Sequence, residues 1–217
     1  MTTLSQLTHL DLTYVQYTHD SLLSYALAHV TLLPFVTLSA YAAIVYVNRD
    51  ALFLNAFTGQ LINEALNLVL KRLFKIRRPN IGTGYGMPSS HAQFAAYAAT
   101  FLILHQLRKQ GRLDNQARCA LLVAIIVAYS RHHLHYHTIN QIVVGWLVGV
   151  SFAVIYFSVT ELSCGRRCNT NTNSNTKSKS LKRSNRIQVI CHLLRSTRLY
   201  VVHTLSLNDP TLDVRQQ

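Results

Sequence analysis

Five long stretches of this chain are nearly free of charge, and they limit its fold more than any other feature. Leu22 to Val47 has no charged side chain, and Ala51 to Leu70 carries only Glu64. Ala92 to Leu107, Cys119 to Ser130 and Ile142 to Thr160 are uncharged. A helix rising 1.5 Å per residue needs about 20 residues to cross about 30 Å of hydrocarbon, and these blocks meet or approach that length. The shortest extends as a helix to about Leu134, with Arg131 at the membrane boundary. The pattern predicts an all-α fold, a polytopic transmembrane helical bundle of about five spans. It divides the chain into an amino-terminal segment over 1–21, a membrane domain over 22–161 and a basic tail over 162–217.

The first block is too long for a signal-peptide core, no basic residue precedes it, and no small-residue cleavage pattern follows, so it is expected to stay as a span. Pro34 inside it is expected to kink the helix. A formal net charge of +13 would suit a nucleic-acid binder, but the basic residues lie between the apolar blocks and in the tail, so membrane topology accounts for them and no nucleic-acid partner is expected. Residues 1–21 contain no Lys or Arg, whereas the connector Arg108 to Arg118 holds Arg108, Lys109, Arg112 and Arg118 against Asp114. The tail after Glu161 holds ten more basic residues. With five spans, the positive-inside rule puts the amino terminus on the non-cytosolic side and the tail in the cytosol. The same count puts 75–91 and 131–140 together on the non-cytosolic side.

The tail changes character at Cys168. Asn169 to Asn185 is polar, repetitive and basic, and is expected to be disordered. Ile187 to Leu205 regains apolar residues and reads either as a short interfacial helix or as an unstructured end. Of the four cysteines, Cys164 and Cys168 flank Gly-Arg-Arg at a membrane edge, where palmitoylation is one reading and a zinc site another; a disulfide framework is not expected.

The chemistry gathers in three places. In Pro88-Ser89-Ser90-His91, Pro88 presets a helix entrance, Ser89 or Ser90 can cap it, and an alanine-rich run follows. An ordinary capped helix would explain those four residues alone. The basic run before them, Lys71, Arg72, Lys75, Arg77 and Arg78, turns the free N–H groups of the first helical turn into an anion site. Glu64, Asn67, Lys71, Lys75 and Arg78 fall at steps of three and four, which predicts one helical stripe ending at Pro79. The third place is Ser130-Arg131 with His137, and Gln141 four residues later is placed to hydrogen-bond the His137 ring. His132, His133 and His135 crowd the same loop. Only eight acidic residues are present and none lies in these loops, so neither a metal nor any other cofactor is expected.

Lys71-x6-Arg78-Pro79, Pro88-Ser89-Ser90-His91 and Ser130-Arg131-x5-His137 resemble, in order and spacing, the three signature motifs of the type 2 phosphatidic acid phosphatase superfamily. Asn63-Glu64 with Asn67, the run Tyr85 to Phe94, and Tyr136-His-Thr-x-x-Gln141 are similar to its dolichyldiphosphatase branch. The likeness covers about residues 20 to 160. It implies a lipid phosphatase in the endoplasmic reticulum membrane, its site on the lumenal side, acting on a polyprenyl diphosphate and in contact with membrane lipids. It implies His137 as nucleophile, His91 as proton donor, and Lys71, Arg78, Arg131, Ser89 and Ser90 as the phosphate cradle, with Gln141 and Glu64 in support. Glu64 is expected to orient Lys71. The superfamily's third motif usually ends in Asp where this chain has Gln141, a difference shared with the dolichyldiphosphatase branch. A phosphatase of glycerolipid monophosphates and a catalytically silent lipid-phosphate binder are the competing readings.

Overall fold

The computed structural model describes residues 7–10, 15–18, 21–79, 84–162, 200–201 and 203–207. A short antiparallel hairpin, β1 (Leu7–Leu10) and β2 (Val15–Thr18), precedes the helices α1 (Leu22–Val30), α2 (Leu33–Asn48), α3 (Ala51–Phe74), α4 (Ser90–Gln110), α5 (Asn115–His133) and α6 (Ile139–Phe157). A π-helical turn over Ser158–Leu162 prolongs α6. Cys164, Cys168, the 169–185 run and most of 187–205 lie outside the described residues.

Short polar side chains start the helices. Ser21 accepts from Ser24 N at 3.2 Å, Asp50 from Leu52 N at 2.8 Å and Asp114 from Ala117 N at 2.9 Å. Thr138 and Gln141 form a capping box at the start of α6. Arg49, Lys75 and Gly111 end α2, α3 and α4 in the left-handed conformation.

Leu22–Asn48 is long and apolar enough to cross a membrane, at mean hydropathy 1.9, and so is Ile139–Glu161, at 2.3. Helices α3, α4 and α5 run 24, 21 and 19 residues, so they have the length but carry polar groups. Those groups face inward: Gln60, Asn63 and Asn67 of α3 and Gln93 of α4 are buried, while Phe35, Leu147 and Ile155 are each 62% exposed. Apolar side chains outside and amides inside make a surface that only lipid covers without penalty.

Two expectations change. Pro34 does not kink one helix but separates two. Its missing N–H leaves Val30 without an α-helical donor, and the N–H of Phe35 goes to Leu32 O at 3.0 Å. The carbonyl of Thr31 is thereby free to serve elsewhere. The stripe from Glu64 to Arg78 is also cut short, because α3 ends at Phe74 and Lys75 turns left-handed with φ 52°. The next residues pair with the incoming loop instead. Ile76 O accepts from Gly86 N at 2.7 Å, and Arg77 bridges to Tyr85. Lys71 and Arg78 therefore do not lie two turns apart on one helix face.

Helix α4 is the axis of the bundle, packed most extensively on α6 and α5. Gly145 and Gly149 let α6 approach it closely. A Cβ on Gly145 would stand 2.7 Å from Ser89 O, and one on Gly149 would collide with Gln93 O. Lower down, Tyr97 lies 5.9 Å from the Phe101 ring and 5.8 Å from Phe152, and Phe101 lies 5.3 Å from Phe157. Each such pair contributes about 0.5–1.5 kcal/mol beyond its buried area. At the end remote from the helix α4 start, Glu161 accepts from Asn55 at 2.7 Å and from Arg108 at 3.1 Å, fastening α6 to α3 and α4.

Candidate active site

The start of α4, the end of α5, the start of α6, the strand-like segment after α3 and the break between α1 and α2 all meet at one end of the bundle. Hydrogen bonds join these pieces at short range. Ser89 N donates to Gln141 O at 3.1 Å, tying the starts of α4 and α6. His137 N donates to Arg131 O at 3.3 Å across the turn that links α5 to α6. Gly86 sits against Arg78 and Gln141, where a Cβ would come within 2.9 Å of Arg78 Cγ and of Gln141 Oε1.

Gln141 fixes the chemical form of His137. Its Nε2 donates to the carbonyl of Arg77 at 3.0 Å, and its Oε1 accepts from Thr138 N at 3.4 Å, which sets the orientation of the amide. The oxygen therefore faces His137 Nδ1, 3.1 Å away. Nδ1 must carry the proton, and Nε2 keeps a lone pair. That Nε2 is buried and has no partner.

Ser89 Oγ, Arg78 Nε and Arg131 Nε, at the same end of the bundle, are likewise buried without a partner. Ser21, Asp50, Asp114 and Thr138 cap their helices with their side chains, whereas Ser89 occupies the cap position of α4 with no side-chain bond. Arg131 is 4% exposed and lies with Cζ 4.3 Å above the Tyr136 ring, which fixes the guanidinium plane. Buried donors normally find acceptors. An anion with several oxygens would satisfy both guanidinium nitrogens and the serine at once, aided by the first-turn N–H groups of α4. Lys71 and Ser90, half-buried, border the same region, and the charges of Lys71, Arg78 and Arg131 are close enough to couple.

His91, half-buried, lies with Nε2 3.2 Å from the carbonyl of Thr31. Since a carbonyl only accepts, this nitrogen carries a proton. Glu64 and Lys71 are close enough for their charges to couple, without an ion pair within 4 Å among the described residues, and Glu64 Oε1 has no hydrogen-bond partner. The three extra histidines also separate. His133 Nε2 pairs with Ser24 Oγ at 3.2 Å, while His132 and His135 line a surface recess of about 400 Å³ above His137, with Pro79, Thr138 and Asn140. A larger, mostly apolar space of about 950 Å³ begins at Phe94 and Ala95, one turn below His91, and runs between α2, α3, α4 and α5.

The sequence reading missed how four residues contribute. Thr31 acts through a carbonyl freed by Pro34, Arg77 through its backbone, Tyr136 through its ring and Gly145 through what it lacks. Only Tyr136, an aromatic five residues after an arginine, left any trace. Asn67 and Gln93 form a further link from α3 to α4: Asn67 Nδ2 donates to Gln93 Oε1 at 2.7 Å, and Gln93 Nε2 donates to Asn63 Oδ1 at 2.9 Å.

Burial, with the charge of Arg131 added, pushes the imidazole of His137 down to about 3, against a smaller opposite effect of the Gln141 bond. The sign follows directly. A group with a lowered pKa gives up its proton at lower pH, so His137 is neutral at pH 7 and stays so well below the ordinary histidine range near 6.5. Its ring resonance, assigned by its loss in His137→Ala, should not move between pH 8 and pH 5 in an NMR titration of histidine-labelled protein. A midpoint near 6.5 would refute this electrostatic account.

A family model described as PAP2 superfamily matches residues 52–163. Dolichyldiphosphatase 1 of Dictyostelium discoideum is 34% identical over 166 residues, covering 71% of this chain and 72% of that protein. The dolichyldiphosphatase of Saccharomyces cerevisiae is 32% identical over 70% of each chain, and human dolichyldiphosphatase 1 is 32% identical over 69% of this chain and 70% of its own. Among solved structures, a transmembrane PAP2-type phosphatidylglycerolphosphate phosphatase from Bacillus subtilis matches with a TM-score of 0.52 at 18% identity, over 64% of this chain and 76% of that one. That likeness concerns the fold alone.

Proposed function

This chain belongs to the PAP2 superfamily, and from that premise we propose that it is an integral membrane dolichyldiphosphatase. It hydrolyses dolichyl diphosphate to dolichyl phosphate and orthophosphate, recycling the lipid carrier for N-glycosylation. The carrying observation is the convergence of unpartnered Arg78 Nε, Arg131 Nε and Ser89 Oγ with the free Nε2 of His137. The apolar space one turn below His91 suits a substrate with a hydrocarbon chain.

His137 Nε2 attacks the terminal phosphorus. An N–P bond forms as the bond from phosphorus to the bridging oxygen breaks, and dolichyl phosphate leaves with the electron pair. His91 enters the step as the imidazolium, the form that the negative charge of the bound diphosphate favours; its Nε2 proton, held on the Thr31 carbonyl in the substrate-free protein, passes to the leaving oxygen and leaves the ring neutral. The deprotonated His91 then takes a proton from water, which attacks the phosphohistidine and releases orthophosphate. Arg78 and Arg131 hold non-bridging oxygens, Lys71 adds a point charge, and Ser89, Ser90 and the backbone N–H groups complete the cradle. These cations supply the charge a metal would otherwise bring. The reaction should therefore survive a chelator.

We place the protein in the endoplasmic reticulum, with residues 22–161 as the catalytic domain, the site and segment 1–21 on the lumenal side and the tail 162–217 in the cytosol. A glycosylation acceptor inserted at Gly84 should be modified, and one in the 108–118 loop should not. The deciding assay gives purified protein a polyprenyl diphosphate and phosphatidic acid. Faster orthophosphate release from phosphatidic acid would overturn the substrate assignment.

A further inference from the structure

We propose that Gln141 makes the site selective for phosphoanhydrides over phosphate monoesters by withholding negative charge from the nucleophilic histidine. The inference rests on the reading above, with His137 as nucleophile, and concerns which bonds that nucleophile can break. When Nε2 bonds to phosphorus, the ring acquires positive charge and Nδ1–H becomes a stronger donor. Its acceptor is the neutral amide oxygen of Gln141 at 3.1 Å. A carboxylate there would make a charge-assisted bond roughly twice as strong.

The surroundings call for an amide rather than an acid. Nε2 of Gln141 donates to the Arg77 carbonyl at 3.0 Å, and a carboxylate in its place would set two oxygens against each other. No other anion compensates among the described residues. Asp50, Asp114 and Glu161 stand at the opposite ends of α3, α5 and α6, and the charge of Glu64 couples to Lys71 rather than to His137. The site collects positive charge for the substrate and gives the developing imidazolium only a dipole.

A weakly supported nucleophile depends on its leaving group. From a diphosphate, the bond from phosphorus to the bridging oxygen breaks to release a lipid phosphate, whose oxygen is acidic and carries the electron pair readily. From a monoester, the corresponding bond breaks to release an alcohol oxygen, which needs a full proton from His91. Gln141 thus leaves anhydride cleavage feasible while monoester cleavage lags. It acts through His137 and is a positioning residue, not a catalytic one.

The test compares wild type with Gln141→Glu on a polyprenyl diphosphate and the polyprenyl monophosphate of the same chain, so that tail binding cancels. Single-turnover rates at saturating protein isolate the first phosphoryl transfer. Wild type should strongly prefer the diphosphate. In Gln141→Glu the ratio of the two rates should shrink about tenfold, the gap between a neutral and a charge-assisted hydrogen bond, even if both rates fall through loss of the Arg77 contact. An unchanged ratio, or a change confined to half-saturating concentrations as simple charge repulsion would give, overturns the inference. Should the variant not fold, aryl phosphates of graded acidity with wild type decide it: the rate must fall steeply as the leaving group becomes less acidic, and a flat series refutes the idea. Wild type preferring the monoester would overturn the proposed function as well, whereas wild type preferring the diphosphate with an unshifted variant overturns this inference alone.

Discussion

His137→Ala should abolish turnover, by on the order of 10⁴-fold or more, and should leave no acid-labile phosphoenzyme after exposure to substrate. The buried Nε2 with no partner is the only nitrogen of that ring free to bond phosphorus, because Nδ1 is committed to Gln141. His91→Ala should behave differently. Its proton assists departure of the bridging oxygen, so the defect should shrink with an artificial substrate whose leaving group needs no proton, and His137→Ala should not be rescued that way. Equal inactivity of both variants toward the activated substrate would show that the roles are wrongly divided.

Most of this site was legible because its chemistry is carried by side chains at fixed spacings. The six-residue interval from Arg131 to His137 spans the turn between two helices, and the four-residue interval to Gln141 is one helical turn beyond it, so the His137–Gln141 bond could be anticipated from spacing. The positions of the long helices were equally plain, since uncharged blocks of that length admit few alternatives in a membrane. The stripe through Lys75 and Arg78 misled because periodicity counts residues without knowing where the helix ends. A left-handed Lys75 has no sequence signal comparable to glycine, and the pairing of Ile76 and Arg77 with Tyr85 and Gly86 is a contact between loops. Thr31 and the Arg77 carbonyl were invisible for a related reason. Every residue has a carbonyl, and only the tertiary fold says which one is left over.

Gly145 offers the sharpest test of that tertiary contribution, because it has no side chain to take part in chemistry. A Cβ there would meet backbone, 2.7 Å from Ser89 O and 3.2 Å from Ser89 N, and backbone cannot swing aside as a flexible side chain does. Gly145→Val should push α6 away from the start of α4 and break the bond from Ser89 N to Gln141 O, one turn earlier on the same helix. Gln141 would carry His137 with it, displacing the nucleophile from the phosphate cradle. Misplacement by about 1 Å costs on the order of 10²-fold, so kcat/KM should fall by about that much with every site side chain still present. Gly111→Ala is the matched control. Gly111 has φ +69° and nothing within 4 Å of a new Cβ, so the substitution should cost about 1 kcal/mol of stability through backbone strain and leave the rate unchanged. Thermal melting in detergent separates the two effects. Wild-type-like activity in a folded Gly145→Val would mean that the approach of α6 to Ser89 does not set the geometry of the site.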